Sequence, residues 1–272
     1  MMINMKNKKI AFIGCGNMAT AIVAGLCANE NINPKNIIVS RRTENKLKEI
    51  EAKYHVNTTI NNNVACETAD IVCLCVKPYL LEDVAAEIYN SIPLEATIIS
   101  IAAGVSLAKL HNLFPNHKYI FRAMPNTPAQ VQEGMTALCI QEADMNNQRV
   151  QDLIELFSCC GKCEVITEDN LSAFIGVSGS SPAYVYMMIE AMADAGVKEG
   201  LSRNQALKFS AQAVLGAAKM VLETNEHPGE LKDKVASPRG TTIDAIATLE
   251  KNGFRNAVIE AVVTASEKNK KM

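Results

Sequence analysis

A glycine-rich turn near the N terminus constrains the fold of this chain more than any other feature. The segment Gly14-Cys15-Gly16-Asn17-Met18-Ala19 follows the apolar run Ile10–Ile13 and opens a helical pattern that extends to Asn29. A strand, a glycine turn and a helix in this order are typical of the phosphate-binding turn of a dinucleotide fold. The first glycine permits the tight turn, and the second permits close approach of the backbone to a pyrophosphate at the helix N terminus. The alternative is an ordinary turn in an α/β domain.

Length and composition limit the number of domains, the partners and the location of the protein. The chain has 272 residues, of which 48% are apolar, and this suits two modest domains. The net charge of −2 gives no indication of a nucleic-acid partner. Apolar runs stay well short of the roughly 18 residues that a membrane span needs. The polar start resembles neither a secretory nor a transit peptide, so we expect a cytoplasmic protein.

Through residue 166, short β-rich runs alternate with helical patterns. This alternation predicts an α/β domain over residues 1–166, with a mainly parallel sheet covered on both faces. The last runs have no long helix between them, which favours an antiparallel edge. The predicted strands are Lys9–Ile13, Asn36–Ser40, Val56–Thr59, Ile71–Val76, Thr97–Ile101, Tyr119–Ala123, Thr136–Ile140 and Cys163–Ile166.

Residues 167–272 have a different pattern and predict an all-α domain. Ser202 with Gln205 indicates a capping box for its second helix. That helix is apolar on several sides and therefore requires burial on several sides. We expect this half to pack against a second copy of itself. The predicted helices are Pro182–Glu199, Ser202–Glu223, Thr242–Lys251 and Phe254–Lys268.

The end of the second strand indicates which dinucleotide is bound. NAD-binding folds place an acid here to hold the ribose 2′-hydroxyl. This chain has Ser40-Arg41-Arg42 instead, and the first acid after the strand is Glu44. A hydroxyl donor and a guanidinium group suit a 2′-phosphate, which favours NADP. The alternative is that both arginines are exposed residues at the start of a helix.

Two further segments fall at the carboxyl edge of the predicted sheet. Val76-Lys77-Pro78 follows the fourth strand, where Lys77 either faces phosphate or nicotinamide or is simply solvated. Ser100-Ile101-Ala102-Ala103-Gly104 follows the fifth strand, and its small side chains leave room for a flat ring.

The residues also limit the chemistry. The Tyr-x-x-x-Lys pair of short-chain dehydrogenases is absent, and nothing indicates a catalytic metal. Reduction of a carbon–nitrogen double bond needs placement of the substrate more than an acid or a base. The segment Ala236–Thr242 combines hydroxyls with the free N–H groups of a helix start, which together would bind a carboxylate. Simple N-capping is the alternative.

The nine cysteines lie mostly in apolar segments, where cysteine behaves as a small buried hydrophobe. Cys160 and Cys163 have CxxC spacing, but no second pair or matched histidines complete a zinc site. A structural role is therefore favoured, with a redox switch as the alternative.

Taken together, these motifs resemble the Δ1-pyrroline-5-carboxylate reductase family over essentially the whole chain. The most specific ones lie in the second half. The segments that carry the resemblance are Phe12–Ala19, Ser40–Arg42, Val76–Pro78, Ser100–Gly104, Arg122–Pro128, Val177–Tyr184, Ala195–Leu201, Glu226–Asp233 and Ser237–Thr242.

The resemblance implies a Rossmann domain joined to a helical domain that intertwines with its partner's. Members form a homodimer unit and also larger rings. NADPH, or in some members NADH, gives a hydride to the ring C=N carbon and leaves L-proline. Two alternatives stay open: a reductase of another cyclic imino acid, or a protein of a different class, a non-catalytic NADP sensor with a helical half that binds a partner.

The resemblance also assigns residues. Thr242 and Ser237 would form the catalytic centre, with Thr242 near the ring nitrogen. The substrate carboxylate would be held by Ser237, Gly240, Thr241 and Thr242. Cofactor contacts would come from Gly14, Gly16, Asn17, Met18, Ser40, Arg41, Asn62, Val76, Lys77, Pro78, Ala103 and Pro182.

Two positions depart from the family pattern. Arg239 replaces the first glycine of Ser-Pro-Gly-Gly-Thr-Thr, and Ser181 replaces the second glycine of Ser-Gly-Ser-Gly-Pro-Ala-Tyr. If residue 239 requires a positive φ, arginine there is strained; otherwise its charge would help to bind a carboxylate.

Overall fold

A computed structural model of the protein describes residues 5–140 and 147–271. An eight-stranded sheet lies at the centre of the first part. All of the predicted strands are present, with ends shifted by a few residues. They are β1 Ile10–Ile13, β2 Ile37–Ser40, β3 Asn57–Thr59, β4 Ile71–Leu74, β5 Thr97–Ser100, β6 Ile120–Pro125, β7 Gly134–Cys139 and β8 Gly161–Ile166.

The order of the strands fixes where a ligand binds. Neighbouring strands lie in the order β3-β2-β1-β4-β5-β6-β7-β8, and the pairs from β3 to β6 are parallel. The direction of winding reverses between β1 and β4. Open α/β sheets bind ligands beyond the carboxyl ends of their strands at such a reversal. Gly14 directly follows β1, so the glycine turn lies at this position.

The predicted antiparallel edge is present, but the connection within it differs from the prediction. β7 runs antiparallel to β6, whereas β8 runs parallel to β7. We expected no long helix among these runs, and this is wrong for the last two. Helix α6, Gln148–Ser158, lies between β7 and β8 along the chain. It supplies the crossover that a parallel pair requires.

Helices accompany the sheet and form most of the second half. Among the described residues, no helix combines the length and apolar character needed to cross a membrane. The α-helices other than α6 are α1 Asn17–Ala28, α2 Glu44–Tyr54, α3 Asn62–Cys66, α4 Leu81–Ile88, α5 Leu107–Leu113, α7 Leu171–Phe174, α8 Ser181–Lys198, α9 Arg203–Thr224, α10 Pro228–Lys234, α11 Thr241–Lys251 and α12 Phe254–Lys270.

The core lies on both faces of the sheet. Ile10 and Phe12 of β1 belong to one buried cluster, and Ala11 and Ile13 of the same strand belong to the other. Strand β4 is divided in the same way. Strands that are buried on both faces are nearly continuous in apolar residues, as expected for a parallel sheet covered by helices. The prediction of a doubly covered sheet is confirmed.

The chain divides into two compact units. Unit 1 comprises Met1–Gly179 with Ser266–Met272, and unit 2 comprises Ser180–Ala265. Residues directly after 166 stay with the sheet because Leu171 and Ile175 are buried in its second core cluster. The boundary between residues 166 and 167, taken as a division between functional domains, stays a prediction.

Unit 2 is built on the contact between α8 and α9. Small residues allow the two helices to approach closely, because a Cβ at Gly196 would lie 3.2 Å from the Cβ of Ala206. The predicted capping box is present: Ser202 and Gln205 bond each other's backbone at the start of α9. Helix α10 was not predicted, since its seven residues show no apolar periodicity.

In a single copy, unit 2 leaves many large apolar side chains exposed. Exposed apolar patches of this kind mark interaction surfaces in soluble proteins. This agrees with the expectation that the helical half is covered by a second copy. The most exposed of these side chains are Tyr186, Met187, Phe209, Leu215, Leu222, Val235 and Ile259.

Gly25 provides a test of how closely α1 and the end of α6 pack. Alanine normally stabilises a helix by about 1 kcal/mol relative to glycine. Here a Cβ would meet the Cys159 carbonyl group and would lie 3.2 Å from the Cβ of Cys160. We therefore expect Gly25→Ala to lower the free energy of unfolding by about 1–3 kcal/mol, measured by urea unfolding at fixed protein concentration.

The neighbouring Ala24→Gly variant is the control for helix propensity. Its free energy of unfolding should fall by about 1 kcal/mol because glycine has a lower helix propensity than alanine. A Gly25→Ala protein more stable than the parent would contradict the close contact.

Candidate functional site

The glycine turn after β1 accepts no side chain at its first position. Gly14 has φ +82, and a Cβ there would lie 2.7 Å from Cγ1 of Val76. Its N–H donates to the carbonyl oxygen of Ser40 at 3.1 Å. The turn is therefore fixed against the ends of β2 and β4, and only glycine satisfies both the backbone and the space.

The second glycine leaves the turn open. Gly16 is the N-cap residue of α1, no side chain caps this helix start, and a Cβ at Gly16 would meet nothing within 4 Å. The first N–H groups of a helix have no partner within the helix. The start of α1, with Asn17 and Met18, is thus free to bind an anion such as a pyrophosphate.

A cleft of about 550 Å³ extends from this turn across the ends of β4 and β5. It brings together seven of the residues predicted to bind the cofactor. Of the lining residues that were not predicted to bind the cofactor, three fall in or just after the Arg122–Pro128 segment. The seven predicted residues are Gly16, Asn17, Met18, Val76, Lys77, Pro78 and Ala103, and the three near that segment are Pro125, Thr127 and Gln130.

At the end of β2, the polar side chains form hydrogen bonds with one another. Ser40 is completely buried, and its hydroxyl donates to Oδ1 of Asn62 at 2.6 Å. Nδ2 of Asn62 donates in turn to Oε2 of Glu87 at 2.9 Å. Direct donation from Ser40 to a 2′-phosphate, as expected from the sequence, is not the arrangement seen here. Asn62 is half-buried and lies nearer to the surface.

The two arginines after Ser40 differ in their surroundings. Nη1 of Arg41 donates to the carbonyl oxygen of Cys15 at 2.6 Å, so the guanidinium group lies beside the glycine turn. Arg42 is exposed. The alternative of a solvated residue at a helix start therefore fits Arg42 and not Arg41.

The wall of the cleft formed after β5 is held by a partly buried ion pair. Oε1 of Glu168 accepts from Nη1 of Arg122 at 2.8 Å and from the N–H of Leu107 at 2.9 Å. The Arg122 side chain is only 7% exposed. Because Leu107 begins α5, this carboxylate fixes the loop that includes Ala103. No sequence motif pointed to Glu168, which is far from Ala103 along the chain.

A buried asparagine fixes the opposite wall. Oδ1 of Asn126 accepts from the N–H of Met135 at 2.8 Å, and its Nδ2 donates to the carbonyl oxygen and hydroxyl of Ser178. Asn126 lies between the cleft residues Pro125 and Thr127. Both polar atoms of the Asn126 side chain therefore bond other parts of the protein and hold the wall in place.

In unit 2, the predicted carboxylate-binding segment forms a tight turn before α11. The N–H of Gly240 donates to the carbonyl oxygen of Ser237 at 3.0 Å. Proline at the second position and a positive φ at the third define a type II turn. Arg239 occupies that third position with φ +60. The positive φ that glycine would supply is therefore required here, and arginine is strained.

The start of α11 is not capped by a side chain. Gly240 is its N-cap residue, and no side-chain hydrogen bond is made there. The N-capping alternative for this cluster of hydroxyls is therefore not observed. A Cβ at Gly240 would overlap the hydroxyl of Ser237, which places that hydroxyl beside the open helix start. Thr241 is exposed and Thr242 is half-buried in the first turn.

Pro182 lies in the first turn of α8, at the beginning of unit 2, where proline needs no N–H partner. It is half-buried. Its approach to the cofactor stays a prediction.

The cysteines have the properties of buried thiols. Burial raises the pKa of Cys160 to about 11 and that of Cys163 to about 12. Reactive CxxC motifs have a lowered thiol pKa, so this pair favours the structural role over a redox switch. Burial also raises the pKa of Cys75, which lines the cleft. Within the described residues, no group of three or more potential ligands could hold a metal ion.

Comparison with known proteins places this architecture in a class. Residues 9–104 match the family described as NADP oxidoreductase, coenzyme F420-dependent, and residues 168–272 match pyrroline-5-carboxylate reductase dimerisation. The fold and the cleft thus define an NADP-dependent oxidoreductase with a helical dimerisation domain.

The particular family follows from full-length relatives. The chain is 47% identical to pyrroline-5-carboxylate reductase of Escherichia coli, covering 97% of this chain and 98% of the relative. It is 42% identical to the enzyme of Methanosarcina acetivorans, covering 98% and 99%. The chain belongs to the pyrroline-5-carboxylate reductase family.

Solved structures agree with this assignment. The pyrroline-5-carboxylate reductase of Coxiella burnetii superposes with a TM-score of 0.90 at 35% identity, over 97% of this chain and 98% of that one. Plasmodium falciparum pyrroline carboxylate reductase with NADP bound gives a TM-score of 0.86 at 31% identity, over 98% of each chain.

Arg239 leads to a prediction about stability. A non-glycine residue in the left-handed region costs about 1 kcal/mol or more. We expect Arg239→Gly to raise the free energy of unfolding by about 1 kcal/mol, measured by urea unfolding at fixed protein concentration. Arg239→Ala is the matched control, because it removes the same charge but keeps a Cβ. Equal stabilisation by both variants would show that charge, and not backbone strain, is the cause.

Proposed function

We propose that this protein reduces 1-pyrroline-5-carboxylate to L-proline and that two groups of residues carry the reaction. One group lines the cleft of unit 1, and the other is the turn before α11 in unit 2. Membership of the family, together with a glycine turn that a Cβ would fill, is the observation that carries the proposal. NADPH, when bound, supplies the hydride that converts the ring C=N bond to a C–N single bond, while the nitrogen keeps its proton.

The pyrophosphate would be held by the turn after β1. Gly14 provides the tight bend, Gly16 provides the open approach, and the N–H groups of Asn17 and Met18 point toward the anion. The uncapped start of α1 supports this assignment.

The ribose end would be held by Arg41 and Asn62. Arg41 already uses one nitrogen on the glycine turn, and its planar guanidinium retains further donors for a phosphate. Ser40, being buried, would act through Asn62 and not by direct contact.

The nicotinamide ring would lie against Val76, Lys77, Pro78 and Ala103, with Pro182 close by. Placement against the ring, and not acid–base chemistry, would provide most of the catalysis. The rigid walls fixed by Glu168 and Asn126 support such placement.

The substrate carboxylate would be held by Ser237, Gly240, Thr241 and Thr242. The open start of α11 offers backbone N–H donors, and the hydroxyls add further ones. Thr242, which is half-buried in the first turn, would also bond the ring nitrogen and thus orient the C=N carbon toward the hydride.

We also propose that a second copy of this chain covers unit 2. The exposed apolar side chains of α8, α9 and α12 give such an interface its driving force, and the matched family is a dimerisation family.

The direct test is an assay with purified protein, NADPH and 1-pyrroline-5-carboxylate, followed by NADPH absorbance. Imine-dependent oxidation of NADPH with formation of proline is expected. The six-membered homologue of the substrate, run in parallel, tests the alternative substrate. Higher kcat/KM with the larger ring would favour that alternative, and no turnover with either imine would favour an NADP sensor.

Replacement of Thr242 tests the carboxylate site. Thr242→Val keeps the shape and removes the hydroxyl, so we expect kcat/KM for the imine to fall about 10-fold or more. Binding of NADPH, measured by fluorescence titration, should stay unchanged. Thr248→Val in the same helix is the control, because its hydroxyl only bonds the Asp244 carbonyl oxygen. Equal loss of cofactor binding in Thr242→Val would contradict the assigned role.

Replacement of Arg41 tests cofactor selection. Loss of a charge-assisted bond to phosphate should raise the Kd for NADPH about 10-fold or more, with a smaller effect on NADH. Arg42→Ala is the control, because that side chain is exposed. A parallel loss of both cofactors in Arg41→Ala would mean that Arg41 only supports the glycine turn.

A further inference from the structure

A hydrogen-bonded chain of three side chains connects the end of β2 to helix α4. Ser40 donates to Oδ1 of Asn62 at 2.6 Å, and Nδ2 of Asn62 donates to Oε2 of Glu87 at 2.9 Å. Ser40 is fully buried, Asn62 is half-buried and Glu87 is exposed. The three residues come from separate elements, so the chain exists only in the folded protein.

The direction of this chain is set at the Glu87 end. A carboxylate only accepts hydrogen bonds, whereas a serine hydroxyl either donates or accepts. Glu87 therefore requires the NH₂ group of Asn62 to face it. The amide oxygen then faces Ser40, and Ser40 must donate. Without Glu87, the amide could rotate by half a turn and still satisfy Ser40.

The orientation of Asn62 decides what it offers to a nucleotide. Its NH₂ group has two hydrogens, and the contact with Glu87 uses one of them. A fixed amide therefore offers an N–H donor, and a rotated amide would offer a carbonyl acceptor. A 2′-phosphate carries only acceptor oxygens near neutral pH, while a ribose 2′-hydroxyl also donates. A fixed donor thus favours the phosphate.

We infer that Glu87 is a positioning residue that sets the preference for NADPH over NADH by fixing the amide of Asn62. The location supports this, because the ribose lies at the end of the second strand in folds of this kind. The inference rests on the proposed function of Asn62 and Arg41 in holding the ribose end. It adds a specificity determinant outside the cleft and outside the motifs found in the sequence.

Simple electrostatics predicts the opposite change in the NADPH/NADH preference. A negative charge near a 2′-phosphate repels it, so removal of Glu87 would strengthen NADPH binding. Glu87 is exposed, and solvent and salt screen such repulsion. The fixed orientation of Asn62 is therefore the larger effect, and the sign of the change separates the two explanations.

The experiment compares both cofactors in the full-length protein. Kd values for NADPH and NADH are measured by fluorescence titration, and kcat/KM values are measured with 1-pyrroline-5-carboxylate. In Glu87→Ala, we expect the NADPH/NADH preference to fall about three- to ten-fold in both measurements, with kcat at saturating NADPH unchanged. Glu87→Gln retains an acceptor oxygen and should restore at least half of the lost preference on a logarithmic scale.

Glu82→Ala is the matched control. Glu82 lies in the same helix, is also exposed, and pairs with Lys109 at 2.6 Å instead of with Asn62. Its replacement should leave the cofactor preference unchanged. The double variant Glu87→Ala/Asn62→Ala should show the same preference as Asn62→Ala alone, because Glu87 acts through Asn62.

An unchanged or increased NADPH preference in Glu87→Ala would overturn the inference, as would an equal fall in Glu82→Ala or in Glu87→Gln. A folding defect weakens both cofactors together and leaves their ratio unchanged, so it counts against the inference. Failure of the proposed function is distinguishable, because the parent protein would then not oxidise NADPH with the imine while the binding ratios could still be measured.

Discussion

The close packing of the glycine turn against the end of β4 is the contact on which the site depends. Gly14 has a positive φ and lies where any Cβ would overlap Val76. This brings the start of α1 beside the residues after β4, at the reversal in strand order. The cleft, the open helix start and the position of Arg41 beside Cys15 all follow from this one approach. A side chain at residue 14 would move all of them.

Buried polar contacts keep the cleft rigid. Glu168 joins Arg122 to the start of α5, and Asn126 joins the β6–β7 connection to Ser178. Such contacts stabilise a site only when each donor and acceptor is paired. Here Glu168 and Asn126 each join two segments of the wall, and under the proposed function the walls would hold a flat ring in place without the need for an acid or a base. This is consistent with imine reduction, where orientation is the main requirement.

Much of the fold was predictable because its signals are local. Strands β1 to β8 follow from short apolar runs, and the capping box at Ser202 follows from two residues. Helix α6 between β7 and β8 was missed although it has 11 residues, and helix α10 was missed because its seven residues lack a clear apolar face. Seven of the residues that line the cleft were predicted as cofactor contacts, because each lies within a few residues after a strand. Pro125, Thr127 and Gln130 were not assigned to it, since their place depends on how the β6–β7 connection packs on α1.

The sequence by itself determined the class of fold, the glycine turn after β1 and the resemblance to a family of imine reductases. These depend on glycine spacing, on apolar periodicity and on short motifs, which operate within a few residues. Only the tertiary structure decided that Ser40 is buried and bonded to Asn62, that Asn62 donates to Glu87, and that Arg239 adopts a positive φ. These properties depend on contacts between residues that are distant along the chain, or on a backbone conformation that arginine does not itself favour, and neither can be read from local pattern.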